Sequence, residues 1–123
     1  MATQDDQPEY VAFSHPHGHL VARVVVPSVG QSEAPVIREQ IVEHMQRLPT
    51  GKCFVLDVSQ VSLLTRMGLG VCVDLRNVAE KNGLQPVLFG MNRHISELFR
   101  LMRIDHLFRI MRTPQELEEL LGG

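Results

Sequence analysis

The residues best suited to chemistry crowd into the stretch DVSQVSLLTRMGLG, residues 57–70: a carboxylate at Asp57, hydroxyls at Ser59 and Thr65, a guanidinium at Arg66, and glycines at 68 and 70. Asp57 has the chemistry of a general base or a metal ligand. No second acidic residue stands beside it, so an acid–base pair is not supported, and a hydrogen bond that orders the following loop is the simpler role. Gly68 and Gly70 open a helix, where backbone amides can cradle a phosphate. A short glycine pair outside any Walker-type loop is weak grounds for that, and close helix-to-sheet packing explains it more simply. Thr65 is a good helix N-cap. Arg66 then falls in the first helical turn, where the helix dipole disfavours a cation by a few tenths of a kcal/mol. Its planar fork suits a carboxylate or phosphate on a partner.

Histidines alternate at 15, 17 and 19 in HPHGH, and three imidazoles on one side of an extended segment could hold zinc or nickel. The Pro-x-Gly turn breaks that geometry at the middle histidine, so a solvated hairpin tip is expected and no metal. His44, His94 and His106 show no ligand spacing. No nucleophile, acid–base pair or metal cluster stands out anywhere, so the chain is read as non-enzymatic and without a cofactor.

The elements that must position these residues follow from hydrophobic period and punctuation. Strands are expected at 9–14 and 19–26, joined by the HPHG turn, and then at 52–58, 86–89 and 106–110. Helices are expected from Glu33 to Arg47, Arg66 to Lys81 and Arg93 to Arg103, with a last short one after Thr113. Their inward faces are Ile37, Ile41, Met45 and Leu48; Leu69, Cys72, Leu75 and Ala79; and Ile95, Leu98, Phe99 and Met102. Asn82-Gly83 should stop the second helix, Asn92 should cap the third, and Thr113-Pro114-Gln115-Glu116 is a capping box. Residues 52–58 are nearly all apolar, as a central strand requires. Strands alternating with helices predict an α/β domain with a mixed, mainly parallel sheet of about five strands and four helices. Binding sites in such sheets lie beyond the carboxyl ends of the strands, which would gather the loops 27–32, 59–67 and 90–93.

Size and composition set limits. The 123 residues fit one core, read as a single domain over 9–123 behind a short leader, 1–8, that lacks the features of a secretory signal. A net charge of −2 and few aromatics argue against nucleic acid. No apolar run approaches the roughly 20 residues of a spanning helix, so no membrane insertion is expected. Cys53 and Cys72 sit in apolar segments and read as buried thiols of a reducing, cytoplasmic setting.

The same residues resemble the STAS domain, the fold of anti-sigma factor antagonists. Asp57, Val58 and Ser59 match the end of that family's buried strand, and Gly68, Leu69 and Gly70 match the end of its Asp-Ser-Ser-Gly-Leu-Gly turn. Asn82-Gly83 with the short apolar strand after it, and the tail LFRLMRIDHLFRIMRTPQELEELL, also match. The likeness covers about residues 10–121 and is most specific over 52–121. It implies a right-handed β-α superhelix and a non-enzymatic module of bacterial signalling and transcription regulation. The implied partner is a protein: an anti-sigma factor that is also a serine kinase, or another signalling module. A second copy of the chain is a further candidate. The implied docking loop comprises Asp57, Ser59, Thr65, Arg66, Met67 and Gly68, with Gln31, Ser32, Met91 and Asn92 in neighbouring loops.

The chain departs from the family at the switch. Thr65 stands for the family's Asp, Arg66 for its phosphorylated serine and Met67 for the second serine. An arginine takes no phosphate ester, so Thr65 is the nearest hydroxyl that could replace it. The first loop, VPSVGQS, lacks the family's acidic residue, with Gln31 or Ser32 nearest its place. Two other functions fit the resemblance: an accessory subunit of a transporter ATPase, and a nucleotide or small-molecule sensor using the same loops. Arg93, Arg100, Arg103, Arg109 and Arg112 could meet an acidic partner or a nucleotide. A solvated face balanced by Glu97, Asp105 and the acidic last helix is the simpler reading.

Overall fold

In the computed structural model, residues 9–122 are described. The expected leader, 1–8, lies outside them. The strands are β1 (Val11–Ser14), β2 (Leu20–Val24), β3 (Ser28–Val29), β4 (Cys53–Asp57), β5 (Leu63–Leu64), β6 (Gln85–Phe89) and β7 (Arg109–Met111). The helices are α1 (Glu33–Met45), α2 (Arg66–Lys81), α3 (Arg93–Leu101) and α4 (Pro114–Leu120). Five strands form one sheet in the order β1-β2-β4-β6-β7; β1 and β2 pair antiparallel and every other neighbouring pair is parallel. The uniformly apolar β4 is central and all five of its residues are buried.

One face of the sheet carries the main core. Leu20, Phe54, Leu56 and Leu88 meet Ile37, Ile41 and Met45 of α1, Cys72, Leu75 and Ala79 of α2, and Ile95 and Phe99 of α3. The opposite face is covered more thinly. There Cys53, Val55 and Val87 pack with Leu121, beside Leu117 and Leu120 of α4. Both cysteines are free and buried.

The turns follow their residues. Pro16–Gly18 forms a single 3-10 turn in which His17 (φ 52°) and Gly18 (φ 82°) are left-handed. His19 turns inward, its Nδ1 accepting the Cys53 N–H at 2.9 Å. Among the described residues no group of three His, Cys, Asp or Glu is placed to hold a metal ion. Asn82-Gly83 ends α2 as expected: Gly83 is left-handed (φ 72°) and the Leu84 N–H reaches back to the Ala79 carbonyl at 2.9 Å.

Three expectations need correction. The strand expected at 106–110 starts later, because Asp105–Leu107 is a 3-10 turn and the ladder with β6 begins at Val87–Arg109. Met102 was expected inward but is 55% exposed. The helix ends at Leu101, so Met102 occupies the cap and the left-handed Arg103 (φ 59°) turns the chain away. The segments read as open loops at 27–32 and 59–67 contain β3 and β5, which pair with each other as a separate two-residue parallel ladder.

Candidate functional site

The β3–β5 ladder is what builds the loop-rich end of the sheet. The Pro27 carbonyl accepts from the N–H groups of Ser62 (2.7 Å) and Leu63 (3.1 Å), and the Val29 carbonyl accepts from Thr65 N–H (3.1 Å). Val29 and Leu64 are buried and anchor the ladder to the core, whereas Leu63, one residue out of phase, is left 47% exposed. The loop after β6 joins through Asn92. Its Oδ1 caps α3 by accepting from Ile95 N–H at 2.8 Å, and its Nδ2 donates to the Ser62 carbonyl at 3.2 Å. Met91, beside it, is half-buried against the main core. Residues 27–32, 59–67 and 90–93 therefore do come together.

Asp57 orders this end of the sheet. It is the one buried charged residue among those described, 8% exposed, and its Oδ1 accepts both the N–H (2.9 Å) and the hydroxyl (2.6 Å) of Ser59. That is an Asx-type turn, in which a carboxylate stands in for the next rung of the ladder. Ser59 in turn lies under Gly90: a Cβ on Gly90 would come within 2.6 Å of the Ser59 Cβ. The strand end and the loop after β6 are thus in backbone contact, and glycine at 90 makes it possible.

Thr65 is the N-cap of α2. Its hydroxyl accepts from Gly68 N–H at 3.3 Å and donates to the Val29 carbonyl at 2.9 Å, so it ties the helix start to β3. Gly68 packs into the same corner, where a Cβ would meet the Val29 carbonyl at 2.9 Å and the Leu64 side chain at 3.0 Å. Packing does explain Gly68. It does not explain Gly70, around which a Cβ would find nothing within 4 Å.

Arg66 and Met67 face outward. α2 has no acidic residue in its first turn, and among the described residues Arg66 has neither ion pair nor hydrogen bond. Met67 is 47% exposed. With Leu63 these side chains form an apolar face carrying one unpaired cation. Gln31 and Ser32 are exposed at the start of α1, and Ser32 makes no side-chain cap. The carboxylate of this loop comes from Glu33, which the sequence reading passed over: its Oε1 accepts from Gly30 N–H at 2.9 Å, while the Gly30 carbonyl accepts from Ala34 N–H. The spacing Gly30 to Glu33 is that of half a capping box, a signal present in the sequence. Leu63 was also missed, because in a two-residue strand there is no alternation to read.

Beneath the face lies a small apolar cavity of about 20 Å³, lined by Val29, Leu56, Val58, Leu64, Cys72 and Leu75 among others, with no charged side chain. Burial pushes the Cys72 thiol up to about 12, so it is neither a nucleophile nor a metal ligand at neutral pH.

The model of the STAS domain matches residues 11–117. The chain belongs to the STAS domain family. Solved structures agree on the fold. A STAS domain protein from Planctomyces limnophilus, an anti-sigma-factor antagonist, superimposes with a TM-score of 0.80 at 14% identity, over 91% of this chain and 97% of that one. An anti-sigma factor antagonist from Mycobacterium paratuberculosis gives 0.77 at 17% identity, over 92% and 93%. A putative anti-sigma factor antagonist from Thermotoga maritima gives 0.76 at 17% identity, over 92% and 95%. In this STAS chain, the turn from Thr65 to Gly70 lies within the matched residues.

Proposed function

We propose that the chain is a non-enzymatic docking module of a signalling system, similar in role to the anti-sigma factor antagonists it resembles in fold, and not switched by phosphate at the usual position. The face of Leu63, Arg66, Met67 and Gly70 would meet the partner, with Asp57, Ser59, Thr65 and Gly68 holding it in shape and Gln31, Ser32, Met91 and Asn92 at its margins. The observation that carries this reading is Arg66: exposed, unpaired and set against the helix dipole, on a face whose apolar side chains are left uncovered. Arginine and methionine are enriched in the cores of protein interfaces. A constitutive guanidinium fits an acidic partner surface, where a phosphorylatable serine would come and go.

Thr65 is a poor substitute phosphoacceptor on this reading. Its hydroxyl both accepts and donates a hydrogen bond within the turn, and a phosphate would have to break the bond to Val29. The sensor alternative is weaker, since the cavity below the face has room for little more than a water and no cation for a nucleotide phosphate.

The test is incubation with the cognate serine kinase and ATP, followed by mass spectrometry. The expected result is no phosphate on the native chain and one on Arg66→Ser, which restores an acceptor. Phosphate on Thr65 or Ser59 of the native chain would overturn the unswitched reading. Failure of any cognate kinase to label Arg66→Ser would remove the kinase as partner. Stable co-purification with a transporter ATPase would then favour the accessory-subunit role.

A further inference from the structure

A second surface lies outside the docking turn, at the C-terminal tip of α3. Leu101 is 77% exposed and Met102 is 55% exposed, the two most exposed large apolar side chains among the described residues. Arg100 precedes them and Arg103 follows. The helix ends in a Schellman arrangement, with Ile104 N–H on the Phe99 carbonyl (3.0 Å) and Arg103 N–H on the Arg100 carbonyl (3.1 Å). Arg103 occupies the left-handed position (φ 59°) that glycine fills at least cost. A solvated cation near a helix C-terminus would account for a positive charge in the last turn, but not for one placed on the strained residue beside two uncovered apolar side chains.

Neither Arg100 nor Arg103 has an ion pair among the described residues, and neither do Glu118 and Glu119, exposed on α4. The same helix leaves Leu117 and Leu120 partly uncovered. The chain thus presents an apolar tip flanked by Arg100 and Arg103 and, elsewhere, an acidic helix whose outer Glu118 lies away from the groove that Arg109 shares with Glu116 and Glu119. Two tips cannot meet each other, because arginine would face arginine. A tip on one copy and α4 on another are complementary. An anionic bilayer is a worse match for the tip, because the chain carries a net charge of −2 and its acidic helix would be repelled.

We infer that the α3 tip, Arg100 to Arg103, binds the acidic face of α4 on a second copy of the chain. Because the contact joins two different patches, it is heterologous and leads to head-to-tail chains rather than a closed dimer unless the rotation closes a ring. It leaves the turn at 57–70 free, so it neither needs nor excludes the docking role proposed above.

Sedimentation across protein concentration tests it. At low salt the average mass should climb from 13.9 kDa toward twice that and beyond, and should return to 13.9 kDa near 1 M salt, where the screening length falls to about 3 Å. Arg100→Glu with Arg103→Glu should abolish the rise, and so should Glu118→Arg with Glu119→Arg. An equimolar mixture of the two double variants should assemble again, since each then offers what the other lacks. Arg103→Gly supplies a control for folding: it should raise thermal stability by relieving the left-handed arginine while weakening association. A monodisperse 13.9 kDa species at every concentration and salt would overturn the inference. So would assembly that the charge reversals do not affect, or binding of the monomer to phosphatidylserine vesicles without self-association.

Discussion

Two glycines show how different reasons can stand behind one residue type. Gly90 is left-handed (φ 87°), and a Cβ there would meet the Cβ, Cα and N of Ser59 at 2.6, 2.8 and 2.9 Å. All three are backbone or backbone-adjacent atoms that cannot swing aside. Gly90→Ala should therefore destabilise the domain by about 2–4 kcal/mol, combining the left-handed penalty with overpacking, as a drop in the urea midpoint. Gly70 is the opposite case. It is helical, exposed and unobstructed. Gly70→Ala should stabilise by about 0.5–1 kcal/mol, read in the same denaturation experiment. A loss of stability would mean that the helix needs Gly70 for itself. A gain with weaker partner binding would mean that the partner needs it. Gly70 and its neighbour Gly68 look alike in the sequence GLG, and only what surrounds each Cβ position separates them.

At the scale of elements, local chemistry was legible wherever the signal lay within a few residues. The capping box at Thr113 is formed on both sides: Thr113 Oγ1 accepts from Glu116 N–H at 3.1 Å, and Glu116 Oε1 accepts from Thr113 N–H at 3.1 Å and Arg112 N–H at 2.8 Å. The Asn92 and Thr65 caps and the Asn82-Gly83 stop were legible for the same reason. The box matters beyond its helix, because α4 brings Leu121 onto Cys53, Val55 and Val87. Thr113→Ala should cost about 1 kcal/mol, and hydrogen exchange should speed up in α4 before it does in α1 or α2. The β3–β5 ladder and the late start of β7 were not legible. Each is a strand of two or three residues whose only reason is a partner strand far away in sequence, and so few residues carry no period. The end of α3 was misread because the apolar period continues through Met102 while the backbone turns at Arg103.

At the scale of the whole molecule, the sheet is covered thickly on one side and thinly on the other, and His19 lies at the thin side's end. Its pKa is lowered, first by burial and then by the charges of Lys52 and His17. Its Nδ1 must also stay unprotonated to accept from Cys53 N–H. A histidine that titrates lower when folded binds fewer protons there than in the unfolded chain. Its contribution is therefore complete above about pH 6.5, the unfolded value, and is lost as pH falls from there through the folded pKa. The urea midpoint should fall from pH 7.5 to pH 5, and His19→Gln, which keeps an acceptor but does not titrate, should show a smaller fall. An equal fall in both proteins would assign the pH dependence to other groups.

The amino-acid sequence by itself determined the order of the five main-sheet strands and four helices, the central strand and the caps, because each rests on short-range periodicity or on a contiguous motif. It also placed Arg66 directly after the Thr65 cap, in the first turn of α2. Tertiary structure alone decided which of these residues stay exposed. Thr65 became a bridge to Val29, Gly68 a packing contact and Glu33 a loop staple, while Leu63, Met67 and Arg66 were left uncovered. Exposure depends on what the rest of the chain places nearby, and that is set by strand pairings between residues more than thirty positions apart, such as Val29 with Leu64.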